Sequence, residues 1–384
     1  MSVMIGNCRY KIIVKLGRGL SSQNAPKFVA NLKKKIKCLK DQIYGEIGIP
    51  IKQVQIDESN CLSPNSYIVS VIYENLCIGG CVFPEKVFAV HNEDGLKKLT
   101  GMDSVHPIYH IPGKWVEKND TDVLKNAGYL VFHPEDIIIS TLEKLIQVHG
   151  HKLLDLNDVF MLVEKLKKTN QPLVRELRKS KISLNFIKIV LRNLLQEEVS
   201  IVNLPVILDT VLDNHTTMTD PVQMTECVRF QLRYQICRNY LSNEGTIRAF
   251  NLSPKLEKYC FNFDMNSNKV KNRIRTAIMN AVNRALEKTA MLSGTELEHS
   301  KMRDLFFNKK EFSCVAIICD SNIRFKLRRI IEDLDPSLAV LSYEEIIPEA
   351  TIYCIGAIDA PSGRSVTRHA VRDNNALKGQ PAKR

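Results

Sequence analysis

Residues 182–199 read ISLNFIKIVLRNLLQEEV, and their apolar side chains recur at steps of three and four residues. The members of this stripe are Phe186, Ile187, Val190, Leu191, Leu194 and Leu195. Such spacing places the side chains on one face of an amphipathic α-helix. Similar stripes recur throughout residues 135–241, where Asp155 and Asp220 stand in N-cap positions. The sequence therefore predicts a helical middle segment in this chain of 384 residues.

Mixed structure is predicted on the N-terminal side of this helical segment. A β-branched run predicts a strand at residues 8–16, and apolar steps predict a helix over residues 24–44. Further strands are predicted at residues 52–56, 66–74, 76–90 and 129–132. The pair Gly79-Gly80 is interpreted as a hairpin or bulge. Residues 91–120 are rich in turn signals and carry the only Trp, which is typical of a small loop-rich subdomain.

The C-terminal side alternates strands and helices. Strands are predicted at residues 246–252, 312–319, 338–341 and 351–355, with helices at 270–291 and 322–334. Strand, helix and strand in this order predict a βαβ unit with a small sheet. The last residues are polar, basic and aperiodic, so residues 356–384 are interpreted as a disordered or non-native tail.

The formal net charge of +12 is concentrated at the two ends of the chain. Residues 1–50 carry a net +8 and residues 356–384 a net +4, so the 305 residues between them are neutral. A nucleic-acid-binding protein usually spreads its basic side chains over a folded face, so this distribution argues against that class. The lysines of the predicted helix at 24–44 fit either a solvated face or contact with an anionic surface.

The sequence contains no recognisable catalytic motif. The glycines at positions 17 and 19 lack the spacing and the Lys-Ser/Thr pair of a phosphate-binding loop, and they indicate a turn. No GxSxG, HExxH or kinase-type set occurs, and His149 and His151 have no acidic or Cys partner at ligand spacing. The eleven scattered cysteines are typical of free thiols in a reducing compartment. These residues predict no catalytic centre, no metal and no cofactor.

The patterns favour a binding or interaction scaffold. No run of eighteen apolar residues occurs, and the first residues lack an apolar core of signal-peptide length. Two alternatives stay open: a small-molecule-binding enzyme that uses the C-terminal α/β unit, and a nucleic-acid-binding protein that uses the basic N-terminal helix.

Several segments in chain order resemble a single family. Residues 62–67, LSPNSY, are similar to its Leu-x-Pro-x-x-Tyr segment, and residues 105–109, VHPIY, resemble its Asp-Pro-x-Phe segment. The most specific similarity is VLRNLLQEEVSI at 190–201, followed by ILDTV at 207–211. On these residues the chain is identified as a member of the family of large export gate proteins of type III secretion (the FlhA/LcrD family), in its cytoplasmic region. Residues 340–346, VLSYEEI, look more like injectisome members than flagellar ones.

The resemblance implies a multi-subdomain fold of the α+β and α/β classes. Its expected parts are a split α+β subdomain (8–84 with 134–153), a small inserted subdomain (85–133), a central helical subdomain (154–233) and a small C-terminal α/β subdomain (234–355). Family members also carry an N-terminal transmembrane region. This chain is therefore expected to be the cytoplasmic region of a protein anchored in the bacterial inner membrane.

The resemblance also implies a role in protein export rather than catalysis. In this family the region forms a nine-subunit ring that receives chaperone–effector complexes and a gatekeeper protein and helps to order export. Contact with other export apparatus proteins and with ATPase stalk proteins is implied as well, and an injectisome member implies virulence. No nucleic-acid partner is expected.

Three candidate binding residues follow from the same resemblance. The chaperone-binding pocket of flagellar relatives falls on His106, Tyr109 and Ser140, where the flagellar pattern has Asp, Phe and Thr. Tyr109 keeps an aromatic ring with an added hydroxyl, and Ser140 keeps a hydroxyl. His106 replaces an acid, which indicates different pocket chemistry and fits an injectisome member with chaperones of its own.

Overall fold

The computed structural model describes residues 12–71, 76–91, 93–262, 267–293, 315–332 and 338–360. The chain divides into two compact units, with the boundary between Asn239 and Tyr240. The first unit contains two four-stranded sheets and a group of helices, and the second contains a four-stranded parallel sheet. Within the described part of the chain, no helix combines the length and apolar character that a membrane span requires.

The first sheet has the spatial order β2-β1-β3-β4. Its strands are β1 (Ile12–Leu16), β2 (Val54–Glu58), β3 (Ser66–Val71) and β4 (Leu76–Cys81). β1 pairs parallel with β2, because helix α1 (Pro26–Glu46) supplies the crossover that parallel strands need. The apolar stripe of α1 is buried as its spacing predicts: Phe28, Val29, Leu32, Ile36, Leu39 and Ile43. β3 pairs antiparallel with both β1 and β4.

The second sheet is antiparallel, in the order β6-β7-β5-β8. Its strands are β5 (Lys86–Val90), β6 (Met102–Val105), β7 (Pro112–Glu117) and β8 (Leu130–Phe132). Two short helices, α2 (Glu93–Lys98) and α3 (Thr121–Asn126), accompany them. The interpretation of residues 91–120 as loop-rich was therefore wrong for β6 and β7. β6 lies at the sheet edge with mostly exposed residues, so it lacks the apolar alternation that would have identified it.

Residues 76–90 form two strands in different sheets, so the prediction of one interrupted strand was also wrong. β4 ends at Cys81 and β5 begins at Lys86. The two glycines lie inside β4 rather than at a turn. A Cβ atom at Gly79 would lie only 2.5 Å from the carbonyl oxygen of Tyr67, so glycine allows β4 to approach β3 closely.

The predicted helical middle is confirmed. It comprises α4 (Pro134–Leu153), α5 (Leu156–Leu166), α6 (Gln171–Lys179), α7 (Leu184–Gln196), α8 (Leu204–Asn214), α9 (Pro221–Gln231) and α10 (Arg233–Arg238). Asp155 caps α5 and Asp220 caps α9, each by accepting backbone N–H groups of the first turn. The last two helices of this group, α9 and α10, meet at Leu232. Helix α4 lies at the centre of this unit, because it contacts α1, α7 and the strands β3, β4 and β5.

A buried polar cluster joins α9 to α7 and the residue that follows it. Nη1 of Arg229 lies 3.0 Å from Oε2 of Glu197, and both side chains are almost completely buried. Nδ2 of Asn193 donates to Oγ1 of Thr225 at 3.1 Å. Asn193 and Glu197 belong to the segment 190–201 that carries the family resemblance. These polar residues of the segment therefore contribute to the packing of the helices.

The second unit is built on a parallel sheet in the order β11-β10-β9-β12. Its strands are β9 (Thr246–Leu252), β10 (Ala316–Cys319), β11 (Ala339–Ser342) and β12 (Thr351–Ile358). Its helices are α11 (Pro254–Asn262), α12 (Asn268–Ser293) and α13 (Ser321–Ile331), and their apolar residues pack on one face of the sheet. The predicted βαβ unit is confirmed by β10, α13 and β11.

One boundary differs from the sequence prediction. β12 continues to Ile358, where it still pairs with β9, so the tail does not begin at residue 356. The remainder of the predicted tail, residues 361–384, lies outside the described residues. So do positions 8–11, 72–74 and 312–314 of three predicted strands and positions 333–334 of a predicted helix. The division into four subdomains with the boundaries given above stays a prediction.

Candidate functional site

One face of the second sheet is aromatic. Phe88 on β5 lies opposite Trp115 on β7 and Phe132 on β8. The ring centroids of Phe88 and Trp115 are 5.4 Å apart, and Phe83 meets Trp115 edge-on at 5.3 Å. The opposite face carries an aliphatic cluster of Val87, Ala89, Val116 and Leu124. The sheet therefore offers a rigid aromatic base for the loop that follows β6.

His106 lies on this aromatic base, immediately after β6. Its side chain is only 1% exposed, and its ring centroid is 5.2 Å from that of Phe132 and 6.1 Å from that of Phe88. Nδ1 accepts the backbone N–H groups of Ile108 at 3.2 Å and Tyr109 at 3.3 Å. Nε2 is buried, and no described residue hydrogen-bonds to it. Burial and the nearby His110 lower the pKa of His106 to about 4.

Tyr109 covers the other side of the same imidazole. Its ring centroid is 4.6 Å from that of His106, and half of its side chain remains exposed. Partial burial and the Glu143 carboxylate on α4 raise the pKa of its phenol. The loop between β6 and β7 thus presents a tyrosine that is held on its inner face and free on its outer face.

Tyr109 is one of four exposed apolar residues along β6 and its loop. These residues are Met102, Val105, Tyr109 and Ile111, and each is more than a third exposed. We refer to these four residues as the β6 lip. Exposed apolar side chains on a rigid element are typical of protein-binding surfaces.

Ser140 lies on α4 and uses its hydroxyl within that helix, where Oγ donates to the carbonyl of Ile137 at 3.0 Å. The structure brings His106 and Tyr109 into contact. Ser140 lies on α4 about one helical turn before Glu143, the residue whose carboxylate acts on the Tyr109 phenol. The roles of all three in binding stay predictions. His106 itself is almost completely buried.

Sequence reasoning missed the residues that support Tyr109. Phe88 and Phe132 form the base of the site, and Glu143 approaches the phenol. Glu143 could have been found from its spacing of three residues from Ser140 on a predicted helix. No local sequence pattern indicates that Phe88 and Phe132 lie opposite each other, because their pairing joins strands that are far apart in the chain.

The described residues offer no evident metal site. No group of three or more His, Cys, Asp or Glu side chains suited to a metal ion occurs among them. The site instead combines an aromatic base, a half-exposed tyrosine and an apolar lip. This combination is typical of a preformed protein-binding surface.

The chain belongs to the FHIPEP family, whose model matches residues 7–351. The flagellar biosynthesis protein FlhA of Bacillus subtilis is 25% identical over 330 residues, which cover 85% of this chain and 46% of that protein. FlhA of Borreliella burgdorferi is 27% identical over 234 residues, which cover 61% of this chain and 33% of that protein. The chain thus spans less than half the length of the curated relatives it matches.

Solved structures share the fold at lower identity. The Chlamydia pneumoniae CdsV protein superposes with a TM-score of 0.73 at 21% identity, covering 91% of this chain and 97% of that one. The nonameric EPEC SctV-C matches with a TM-score of 0.62 at 16% identity, covering 92% and 100%. The nonameric EscV cytosolic domain of a type III secretion system gives 0.63 at 18%, covering 93% and 98%. The chain therefore has the mixed, multi-subdomain fold of the export gate's cytoplasmic region, as the resemblance predicted.

Proposed function

We propose that this chain docks chaperone–effector complexes and a gatekeeper protein within a type III secretion export apparatus of the injectisome type, and so helps to order export. The observation that carries the proposal is the β6 lip with half-exposed Tyr109 on a buried aromatic base. A preformed apolar surface binds a partner with little loss of conformational entropy. The injectisome assignment is supported by the solved structures of similar fold and by His106 in place of an acid.

The proposal includes a nine-subunit ring. Two solved structures of the same fold are nonameric, SctV-C and the EscV cytosolic domain. A structure of CdsV with CdsO, which matches this chain with a TM-score of 0.71 at 21% identity, is a complex of such a fold with a second protein. By analogy, this chain contacts its own copies head to tail and also binds other export apparatus and ATPase stalk proteins. The whole protein is anchored in the bacterial inner membrane, with this region on the cytoplasmic face.

A scaffold is favoured over the two alternative classes. An enzyme based on the second unit would need a ligand loop after β10, but Asp320 there caps α13 by accepting the N–H of Asn322. The nucleic-acid alternative depends on the lysines of α1. Two of these are engaged within the fold: Lys35 with Asp136, and Lys40 with the carbonyl of Lys52.

The β6 lip is tested by Tyr109→Ala, with Tyr353→Ala as the matched control because that tyrosine is exposed in the second unit. In a pull-down with the cognate chaperone–cargo complex, we expect Tyr109→Ala to weaken capture by roughly tenfold, as for the loss of an aromatic anchor. The control should bind like the wild type. Equal capture by both variants would reject the β6 lip as the docking surface. Electron microscopy of the concentrated protein tests the ring, and persistent monomers would contradict it.

A further inference from the structure

His106 organises the whole loop between β6 and β7. Its backbone N–H donates to the carbonyl of Ile111 at 2.9 Å, and its carbonyl accepts the N–H of His110 at 2.9 Å. Its Nδ1 accepts the N–H groups of Ile108 and Tyr109. Four hydrogen bonds of the loop therefore involve this one residue. The loop closes at His110, whose φ of +52° is in the left-handed region that few non-glycine residues adopt.

The hydrogen bonds define the chemical state of the imidazole. A ring nitrogen accepts a hydrogen bond only when it carries no proton, so Nδ1 is bare and the proton is on Nε2. An acceptor that binds the N–H groups two and three residues ahead is the pattern that Asp and Asn side chains make in Asx turns and N-caps. The neutral imidazole of His106 thus caps the turn in the way that a short polar side chain usually does.

The surroundings of the ring favour this single state. The Phe88 and Phe132 rings meet the imidazole edge-on, and Tyr109 covers it at 4.6 Å. The Nε2 side has no hydrogen-bond partner among the described residues, so a flipped ring would leave Nδ1 and two backbone N–H groups unsatisfied. A protonated ring would place an uncompensated charge among aromatic side chains.

We propose that His106 is a positioning residue for the docking site: its neutral imidazole caps the loop and holds Tyr109 on the β6 lip, without itself touching the partner. The inference deepens the proposed function and rests on it for the identity of the partner, an apolar surface of a chaperone–cargo complex. The same inference explains why a histidine can stand where the flagellar pattern has an acid. An Asp side chain is also able to accept the N–H groups of such a turn, but the histidine in addition fills an aromatic cage.

The first test reads the imidazole directly in the wild-type protein. Nitrogen-15 NMR of histidine-labelled protein resolves the tautomer of each of the nine histidines, and His106→Asn assigns the resonance that disappears. We expect His106 to show the Nε2–H tautomer and to stay neutral between pH 8 and pH 5. An Nδ1–H tautomer, or titration close to pH 6.5, would overturn the proposal.

The second test compares two replacements of His106. His106→Asn keeps an acceptor for the turn, whereas His106→Leu has a similar apolar bulk and no acceptor. The measured quantity is the affinity for the purified cognate chaperone–cargo complex. Relative to the wild type, we expect His106→Leu to weaken this affinity about tenfold and His106→Asn by less than about threefold. Hydrogen exchange of the amides of Ile108 and Tyr109 should accelerate only in His106→Leu. Equal losses in both variants, with unchanged exchange, would overturn the proposal.

A double-mutant cycle separates positioning from direct contact. If His106 acts only through Tyr109, then His106→Leu should cause no further loss of affinity in a Tyr109→Ala background. Additive losses would identify His106 as a contact residue and overturn the proposal. If the wild type captures no chaperone–cargo complex, the proposed function fails instead. The tautomer and hydrogen-exchange results then still decide whether His106 holds Tyr109 in place.

Discussion

Two buried polar sites of the first unit differ in how they are satisfied. Arg229 and Glu197 bury opposite charges 3.0 Å apart, and they join a helix to a segment that lies far from it in sequence. His106 is as deeply buried but neutral, and its partners are backbone amides two and three residues ahead. One site stabilises long-range packing and the other shapes a single loop.

The two sites should therefore respond differently to substitution. A buried charge that loses its partner retains a large desolvation penalty, so removal of one member of the ion pair should destabilise the packing of the helices. Loss of a turn cap affects only the residues whose N–H groups it accepts. At His106 those residues are Ile108 and the half-exposed Tyr109. We therefore expect substitutions at the ion pair to affect stability, and substitutions at the loop to affect binding.

The largest expected effect is the loss of the buried pair. Arg229→Met should lower the free energy of unfolding by about 3–5 kcal/mol, because Glu197 would stay buried without its cation. Urea unfolding followed by circular dichroism measures the change. Arg178→Met is the matched control, since Arg178 pairs with Glu164 at an exposed position and should cost less than about 1 kcal/mol. Similar losses in both variants would show that burial does not set the cost.

A smaller effect should follow acidification. Native His106 resists protonation until about pH 4, whereas the unfolded chain takes up this proton below pH 6.5. The unfolded state therefore gains stability as the pH falls from 6.5 towards 4, and this residue's contribution to native stability declines by at most roughly 3 kcal/mol.

Urea titrations of the wild type and of His106→Asn at pH 7 and pH 4.5 measure that contribution. Other histidines and carboxylates titrate in both proteins, so the difference between the two pH profiles isolates position 106. The wild type should lose more stability on acidification than the variant. Parallel profiles would mean that His106 has an ordinary pKa in the folded protein.

The smallest effect is expected at the start of the helix that carries Arg229. Asp220 accepts the N–H groups of Val222 and Gln223, so Asp220→Ala should destabilise the protein by about 1 kcal/mol. Thermal unfolding measures the shift. Asp209→Ala provides the control, because Asp209 is exposed in the middle of α8 and should change stability by less than about 0.5 kcal/mol. A cost at Asp220 as large as that at Arg229 would indicate that capping, not charge pairing, holds α9.

Sequence reasoning recovered the helices more completely than the sheets. The stripe on α7 and the caps at Asp155 and Asp220 were predicted, because they depend on residues three or four positions apart. The strand β6 was missed, because an exposed edge strand carries no apolar alternation. Gly79 was misinterpreted as a turn residue, because its close approach to Tyr67 on the neighbouring strand has no local signal.

The candidate site shows the same limit. Family resemblance pointed to His106, Tyr109 and Ser140, and local spacing could have added Glu143. The burial of His106 against Phe88 and Phe132 appears only once the strands are paired.

Amphipathic periodicity, capping residues and the neutral charge of the long middle segment were readable from the chain alone, because each is a property of neighbouring residues or of composition. The register of the second sheet, the Arg229–Glu197 pair and the cage around His106 arose from folding. These features bring together residues that are distant in sequence, and their energies depend on burial that no local pattern specifies.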